Sequence, residues 1–260
     1  MNKTEHRPTS RVLNILEILA TNSDGFTLTE IAEKINAPKS TILPIVHTMA
    51  ERKFINIDRD SGKYTIGIST FSVGAAFSSN KNILQYINSE MKHIVEVTKE
   101  ICQLGILKGN NVLYIDKVDS EEAIRLVSHI GKMLPTYCTS LGKALICEME
   151  LDEIKKLYPT GLKSYTKSTI TDFNILFEQL LEIRKSNISM EFEEISEHLI
   201  CCATPIKYNN KIIAAISVSI PAFRATQEKL SVTSEVLINA KGKIEKYLQT
   251  VGLDEESFLY

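Results

Sequence analysis

The sequence predicts an α+β protein in which a small helical module precedes a larger domain of strands and helices. In the first 65 residues, apolar side chains recur every three or four positions, which is the spacing of helices that pack on one face. From Ile101 onward, short β-rich runs alternate with helical segments, as in α+β domains. At 260 residues the chain is long enough for two modest domains.

The composition is that of a globular protein, with 43% hydrophobic and 24% charged residues and a net charge of −2, which excludes a disordered tail. The first seven residues contain no apolar stretch, and the longest apolar run, 212–218, is far shorter than the ~18 residues that span a bilayer. We therefore expect no signal peptide and no membrane contact. None of the five cysteines forms a Cys-x-x-Cys pair, so we expect a reduced, cytoplasmic protein without a disulfide framework.

Three short helices are predicted in the N-terminal module. The first carries apolar residues at helical spacing from Val12 to Leu19, and Thr9 or Ser10 would cap it. The second begins with the capping-box pair Thr27 and Glu30. Pro38 suits the first position of the third helix.

A β-hairpin follows, with strands at 54–57 and 63–66 around a loop that contains glycine. Three helices followed by a hairpin are typical of a winged helix-turn-helix, in which the third helix enters the major groove of DNA. Hydroxyl and cationic side chains, which suit phosphates and base edges, lie at the matching positions. The predicted DNA-contacting residues are Thr27, Lys39, Ser40, Thr41, His47, Arg59 and Lys63.

Charge alone does not support DNA binding, since residues 1–65 hold 9 Lys and Arg against 8 Asp and Glu. A small three-helix core that docks on another protein therefore remains an alternative.

The rest of the chain begins with a predicted connecting helix at 68–79, interrupted at 80–82, and a second helix that carries Ile83, Ile87 and Met91 on one face. The predicted domains are 1–67, a linker at 68–82, and 83–260. Further strands are expected at 101–107, 112–118, 123–130, 188–195, 199–207 and 212–219. Further helices are expected at 140–148, 151–157, 172–185 and 227–248.

Ser217 and Ser219 alternate with Val218, so they share one face of their strand. In an otherwise apolar strand this pattern indicates a pocket, and solvent exposure on an edge strand is the alternative. Cys201 fits a soft wall of the same pocket. Thr139 or Ser140 starts a helix there, either as a plain cap or beside a bound carboxylate.

Several motifs together resemble the IclR family of transcriptional regulators over nearly the whole chain. They are Ser10–Leu19, Thr27–Ala32, Pro38–Thr41, Ile130–Pro135, Thr139–Leu145, Tyr165–Asp172, Glu193–Glu194, Ile200–Ile206 and Ala214–Ser219. The resemblance implies a GAF-like effector-binding and oligomerisation domain after the winged helix-turn-helix. It also implies a homodimer, with pairing of dimers left open, that binds a double-stranded DNA operator and controls a catabolic or metabolic operon, with repression favoured over activation.

The same resemblance implies an effector that is an organic acid, an aromatic compound or a sugar-derived metabolite. The implied effector-binding residues are Ser140, Leu141, Glu191, Cys201, Ser217 and Ser219. Glu191 stands where the family commonly has Asp and His198 where it often has Gly. Because a carboxylate repels an anion, a neutral or hydroxylated ligand deserves equal weight.

The predicted recognition helix departs from the family at Leu43 and Pro44, where many members carry polar or basic residues. Pro44 costs ~3 kcal/mol in a helix interior and nothing in a first turn, which it would occupy if Ser40 or Thr41 were the N-cap.

We expect no catalytic site, no cofactor and no metal. Gly142-Lys143 is not a phosphate loop, because Tyr137 replaces the required glycine and Ala144 the required Ser or Thr. A metal site at His198, Cys201 and Cys202 is disfavoured, since adjacent strand residues point to opposite faces. A small-molecule enzyme and a protein-binding adaptor remain the alternative functions.

Overall fold

The computed structural model describes residues 6–77, 81–122 and 129–252. The chain divides into two compact units, Met1–Lys81 and Asn82–Tyr260. Each unit has a hydrophobic core of its own.

The N-terminal unit contains the predicted three helices and hairpin, with one additional strand. Its elements are α1 (Arg7–Leu19), β1 (Phe26–Thr27), α2 (Leu28–Lys34), α3 (Lys39–Glu51), β2 (Ile55–Ile57), β3 (Lys63–Ile66) and α4 (Ile68–Phe77). The strands form an antiparallel sheet in the order β1-β3-β2. The short β1, which was not predicted, pairs with β3 and closes the module around a core that includes Ile15, Ile42 and Val46.

Two helices begin at other residues than predicted. α1 starts at Arg7, ahead of the expected cap at Thr9 or Ser10. Pro8 is compatible with the first turn, because the N–H group that proline lacks would have no hydrogen-bond partner within the helix there. In α3, Pro38 is the N-cap and not the first residue. Pro44 is therefore the sixth residue of α3, so of the two placements left open for it, the helix interior is the one observed.

The start of α4 is tied to the turn between α3 and β2. The Ser69 and Thr70 hydroxyls donate to the carbonyls of Arg52 (2.8 Å) and Phe54 (2.9 Å). A Cβ on Gly67 would lie 2.3 Å from the Lys53 carbonyl oxygen, so this close approach requires glycine.

The larger unit contains an antiparallel six-stranded sheet in the order β6-β5-β4-β9-β8-β7. Its elements are α5 (Lys81–Thr98), β4 (Ile101–Lys108), β5 (Asn111–Val118), β6 (Met133–Pro135), α6 (Ser140–Ile146), α7 (Leu151–Leu157), α8 (Phe173–Ser186), β7 (Ser189–Phe192), β8 (Leu199–Tyr208), β9 (Lys211–Pro221), a short 3-10 helix (Ala222–Arg224) and α9 (Gln227–Val251). The β4–β5 and β8–β9 hairpins have two-residue turns at 109–110 and 209–210. Gly109, Asn209 and Asn210 have positive φ there, as such tight turns require.

Two strand predictions in this unit differ from the structure. Most of the strand predicted at 123–130 lies outside the described residues. β5 pairs with β4 on one side and, on the other, with the short strand β6, which was not predicted. The strand predicted at 188–195 ends at Phe192, because Glu193 has a left-handed backbone (φ 57°) that starts a turn.

Helices cover both faces of this sheet. α5 and α9 pack on one face through residues such as Met91, Leu237 and Val218. α6 packs on the other face against β5, β8 and β9, and α7 and α8 pack beside α6. This arrangement is the predicted α+β architecture.

Candidate functional site

The third helix of the N-terminal unit presents a mixed surface. Lys39, Ser40 and His47 are exposed and Thr41 is half-buried. Leu43 and Pro44 are exposed between them, so the accessible face of α3 has an apolar centre between polar ends.

The hairpin holds the two predicted cations at its turn. Arg59 is exposed, and Lys63 is the half-buried first residue of β3. Asp58 shapes this turn because its Oδ1 accepts the N–H groups of Asp60 (2.8 Å) and Ser61 (3.3 Å), which lower the pKa of its carboxyl.

Thr27 acts as the predicted cap of α2. Its hydroxyl accepts the Glu30 N–H (3.4 Å), and its backbone N–H donates to Glu30 Oε2 (2.7 Å), which completes the capping box. The Thr27 hydroxyl also donates to Glu30 Oε2 (2.9 Å). Of the predicted DNA contacts, Thr27 is therefore the one whose hydroxyl is already engaged within the protein.

A cavity of about 340 Å³ lies on the α6 side of the large sheet. It brings together Ser140, Glu191, Cys201, Ser217 and Ser219, five of the six residues predicted for the effector. The sixth, Leu141, does not line the cavity and packs in the apolar cluster between α6 and the sheet. The Leu141 side chain is directed toward Val112 and Ala215, and its role as an effector contact stays a prediction.

The sheet supplies a row of buried polar side chains to this cavity. Ser219 Oγ donates to Gln103 Oε1 (3.2 Å) and lies 3.3 Å from Cys201 Sγ. β9 runs between β4 and β8, and both of its serines are buried. The alternative of solvent exposure on an edge strand is therefore wrong.

The start of α6 forms another wall. Thr139 caps the helix, since its hydroxyl accepts the Gly142 N–H (3.1 Å) and donates to the Pro135 carbonyl (3.0 Å). Thr139 and Ser140 also line the cavity. Thr139 is therefore the predicted cap, and a carboxylate bound beside it stays a prediction.

Glu191 is fully buried at the cavity wall. Its Oε1 accepts the N–H groups of Glu194 and Ile195, and its Oε2 has no hydrogen-bond partner. Burial raises the pKa of Glu191 to about 7, although the two backbone N–H donors partly oppose that rise.

Behind Glu191 lies a buried ion pair. The Lys143 ammonium, which is fully buried on α6, donates to Glu194 Oε1 and to Gln179 Oε1 (2.8 Å). The backbone of Glu194 is tied to the preceding loop, because the Thr169 hydroxyl donates to its carbonyl (2.6 Å).

The candidate metal residues do not come together. Cys201 faces the cavity, whereas Cys202 faces α9 and lies 3.6 Å from Ser234 Oγ. His198 is on an exposed turn. Within the described part of the chain, no group of three or more His, Cys, Asp or Glu residues is placed to hold a metal ion. Burial raises the pKa of the Cys201 thiol.

Comparison with protein families decides the identity. The family model for the IclR helix-turn-helix domain matches residues 8–59, and the model for the C-terminal domain of bacterial IclR transcriptional regulators matches residues 75–246. The chain belongs to the IclR family of transcriptional regulators. It therefore combines a DNA-binding helix-turn-helix with an effector-binding C-terminal domain.

Individual relatives agree with this IclR-family assignment. The chain is 32% identical over 236 residues to the HTH-type transcriptional regulator BhcR of Paracoccus denitrificans, covering 90% of this chain and 84% of BhcR. It is 28% identical over 239 residues to the transcriptional repressor IclR of Escherichia coli, covering 90% and 87%. The crystal structure of an IclR-type regulator from Alicyclobacillus acidocaldarius has the same fold, with a TM-score of 0.85 at 21% identity over 94% of this chain and 99% of that chain.

Sequence reasoning missed several residues of the regulator's cavity. Gln103, Tyr114, Lys132 and Tyr165 also line it. Gln103 could have been found from the sequence, because it is a polar residue inside the apolar run of β4. In the sheet it pairs with Ser217. Lys143 could also have been found, because it is a charged residue within a mostly apolar helix.

The described residues include no helix with the length and apolarity that a membrane crossing requires.

Proposed function

We propose that this IclR-family regulator binds its operator through the exposed face of α3, with the hairpin on the DNA backbone. Lys39, Ser40 and His47 are accessible to a major groove. Ser40 and Thr41 would contact phosphates or base edges, and Arg59 and Lys63 would hold phosphates. A regulator of chromosomal genes would act in the cytoplasm.

We propose that two copies assemble through α4. This helix exposes three large apolar side chains within six residues, with Ile68 62%, Phe71 72% and Val73 61% exposed. Apolar groups clustered in this way favour burial against a partner. In a two-fold dimer the paired recognition helices match only one spacing of operator half-sites. Pairing of such dimers would make a tetramer.

The cavity of the C-terminal unit would bind the effector, and this enclosed row of polar side chains is the observation that carries the proposal. Ser140, Glu191, Cys201, Ser217 and Ser219 would contact a small organic acid, an aromatic compound or a sugar-derived metabolite. Leu141 would contribute to the effector site at the start of α6, beside Ser140. Binding would change the separation of the DNA-binding modules in a GAF-like sensor. Repression agrees with the name of the Escherichia coli relative.

The test begins with a labelled duplex from the upstream region of the gene, titrated at several salt concentrations against unrelated DNA. Specific binding with a steep salt dependence is expected, because each neutralised phosphate adds about 0.9 to the slope. Arg59→Ala and Lys63→Ala should each reduce that slope by about 1. Lys155→Ala, an exposed lysine of α7, is the matched control and should leave it unchanged.

Two outcomes would contradict the proposal. Binding that is weak and insensitive to salt would favour a protein-binding adaptor. Metabolite turnover by the purified protein would favour an enzyme. For the effector site, Ser217→Ala and Ser219→Ala should retain operator binding and lose the response to effector, and an unaltered response in both would remove the cavity from the proposal.

A further inference from the structure

The charged groups around the effector cavity are few. Among the described residues that line it, Lys132 provides a positive charge and Glu191 is the one carboxyl group. The protonation of Glu191 therefore decides whether the cavity has a net charge near +1 or near zero.

Glu191 has no cation to balance its charge. No ion pair to it exists among the described residues, and the nearby buried cation, Lys143, is engaged by Glu194 and Gln179. One oxygen of Glu191 accepts two backbone N–H groups, and the other, Oε2, is buried without a partner. An ionised carboxylate in such a place is costly, whereas a protonated one presents a donor.

We propose that Glu191 meets the effector as a neutral carboxylic acid, donates its proton from Oε2 in a hydrogen bond, and thereby selects an effector that carries a carboxylate. The inference rests on the proposed function of the cavity. It resolves the conflict between an acidic residue and an anionic ligand, because the neutral acid does not repel an anion and Lys132 attracts it.

The neighbours of Glu191 support this protonation state. Burial raises its pKa to about 7. Cys201 on β8, Tyr114 on β5 and Cys138 before α6 also have raised pKa values, so they stay neutral beside it. The Glu194 carboxylate, paired with Lys143, further raises the pKa of Glu191. Tyr165 also lines the cavity.

A bound carboxylate would hold the proton on Glu191 more strongly, so binding should be accompanied by proton uptake from solvent. By linkage, affinity for a carboxylate should then fall about tenfold per pH unit once Glu191 is ionised in the free protein.

The first test needs no effector. Glutamate carboxyl carbons are labelled with carbon-13 in the full-length protein, and the Glu191 resonance is assigned by its loss in Glu191→Gln. Titration near neutral pH is expected. A resonance that remains that of a carboxylate down to about pH 5 would overturn the proposal, whether or not the protein binds DNA.

The second test uses three acids with their uncharged counterparts: lactate and lactamide, 4-hydroxybenzoate and 4-hydroxybenzamide, gluconate and gluconamide. Thermal stabilisation by each is measured at about pH 6 and about pH 8. An acid should bind better than its amide and better at the lower pH, and Glu191→Gln, which keeps a donor, should bind it with little pH dependence. Preference for an amide, or for an acid at the higher pH, would overturn the proposal. The carbon-13 titration decides by itself if the panel contains no ligand.

Discussion

The ammonium group of Lys143 donates to the carboxylate of Glu194 in the interior of the C-terminal unit, where the two side chains are 0% and 5% exposed. The two residues are 51 positions apart in the chain. Their contact joins α6 to the turn whose N–H groups hold Glu191, so the pair supports the wall of the cavity without lining it.

Replacement of Lys143 by Met should strongly destabilise the protein. It leaves the Glu194 carboxylate buried without its cation, which typically costs ~3–5 kcal/mol. Urea unfolding measures the loss. Glu182→Gln removes the exposed pair with Lys185, whose side chains are more than 70% exposed, and should change stability by less than ~1 kcal/mol. Equal losses in the two variants would contradict the importance of burial.

Gly142→Ala should destabilise the start of α6 and disturb the cavity. A Cβ at this position would lie 2.2 Å from the Cα and the carbonyl oxygen of Thr136. These are backbone atoms that cannot rotate away, so a loss of ~1–3 kcal/mol or more is expected. In contrast, Gly242 on α9 has open space around its Cβ position. Gly242→Ala should stabilise the helix by ~0.5–1 kcal/mol, and urea unfolding of both variants would show whether the signs differ.

Stability should depend on pH through Glu191. Its pKa is raised to about 7 in the folded protein, so the folded state holds a proton that the unfolded chain has already released. The contribution is complete below the unfolded pKa and is lost as pH rises through about 7. Between about pH 5 and about pH 8 the wild-type protein should therefore lose up to ~3 kcal/mol that Glu191→Gln does not lose. Parallel pH dependences of urea unfolding in the two proteins would contradict this.

The fold was predictable where neighbouring residues carry the information. The helical spacing from Val12 to Leu19 and the capping pair Thr27 and Glu30 predict α1 and α2 from local sequence. Alternation at Ser217 and Ser219 likewise predicted one cavity face. The helical spacing and the strand alternation are periodic patterns that a few consecutive residues are enough to show.

The rest of the site depends on contacts that no local pattern contains. Nothing in the neighbouring sequence shows that the Lys143 ammonium binds Glu194 and Gln179, because both partners belong to other parts of the chain. Leu141 is next to a cavity residue in sequence, but helix geometry directs it into the core. The helix boundary at Pro38, which decides the position of Pro44, depends on backbone angles that the residue types leave open.

Pro44→Ala should stabilise α3. As the sixth residue of the helix, Pro44 cannot donate the hydrogen bond that the Ser40 carbonyl would accept, and an interior proline costs about 3 kcal/mol relative to alanine. Because proline also restricts the unfolded chain, the net gain should be ~1–3 kcal/mol. Hydrogen exchange of the α3 amides measures it within the N-terminal unit.

Pro8→Ala is the matched control for this variant. Pro8 lies in the first turn of α1, where a missing N–H removes no intrahelical bond, so its replacement should leave the protection of α1 nearly unchanged. Since neither substitution removes a phosphate contact, the salt dependence of operator binding should also stay the same. Equal effects of the two substitutions on helix protection would show that Pro44 behaves as a first-turn proline, contrary to its position in the structure.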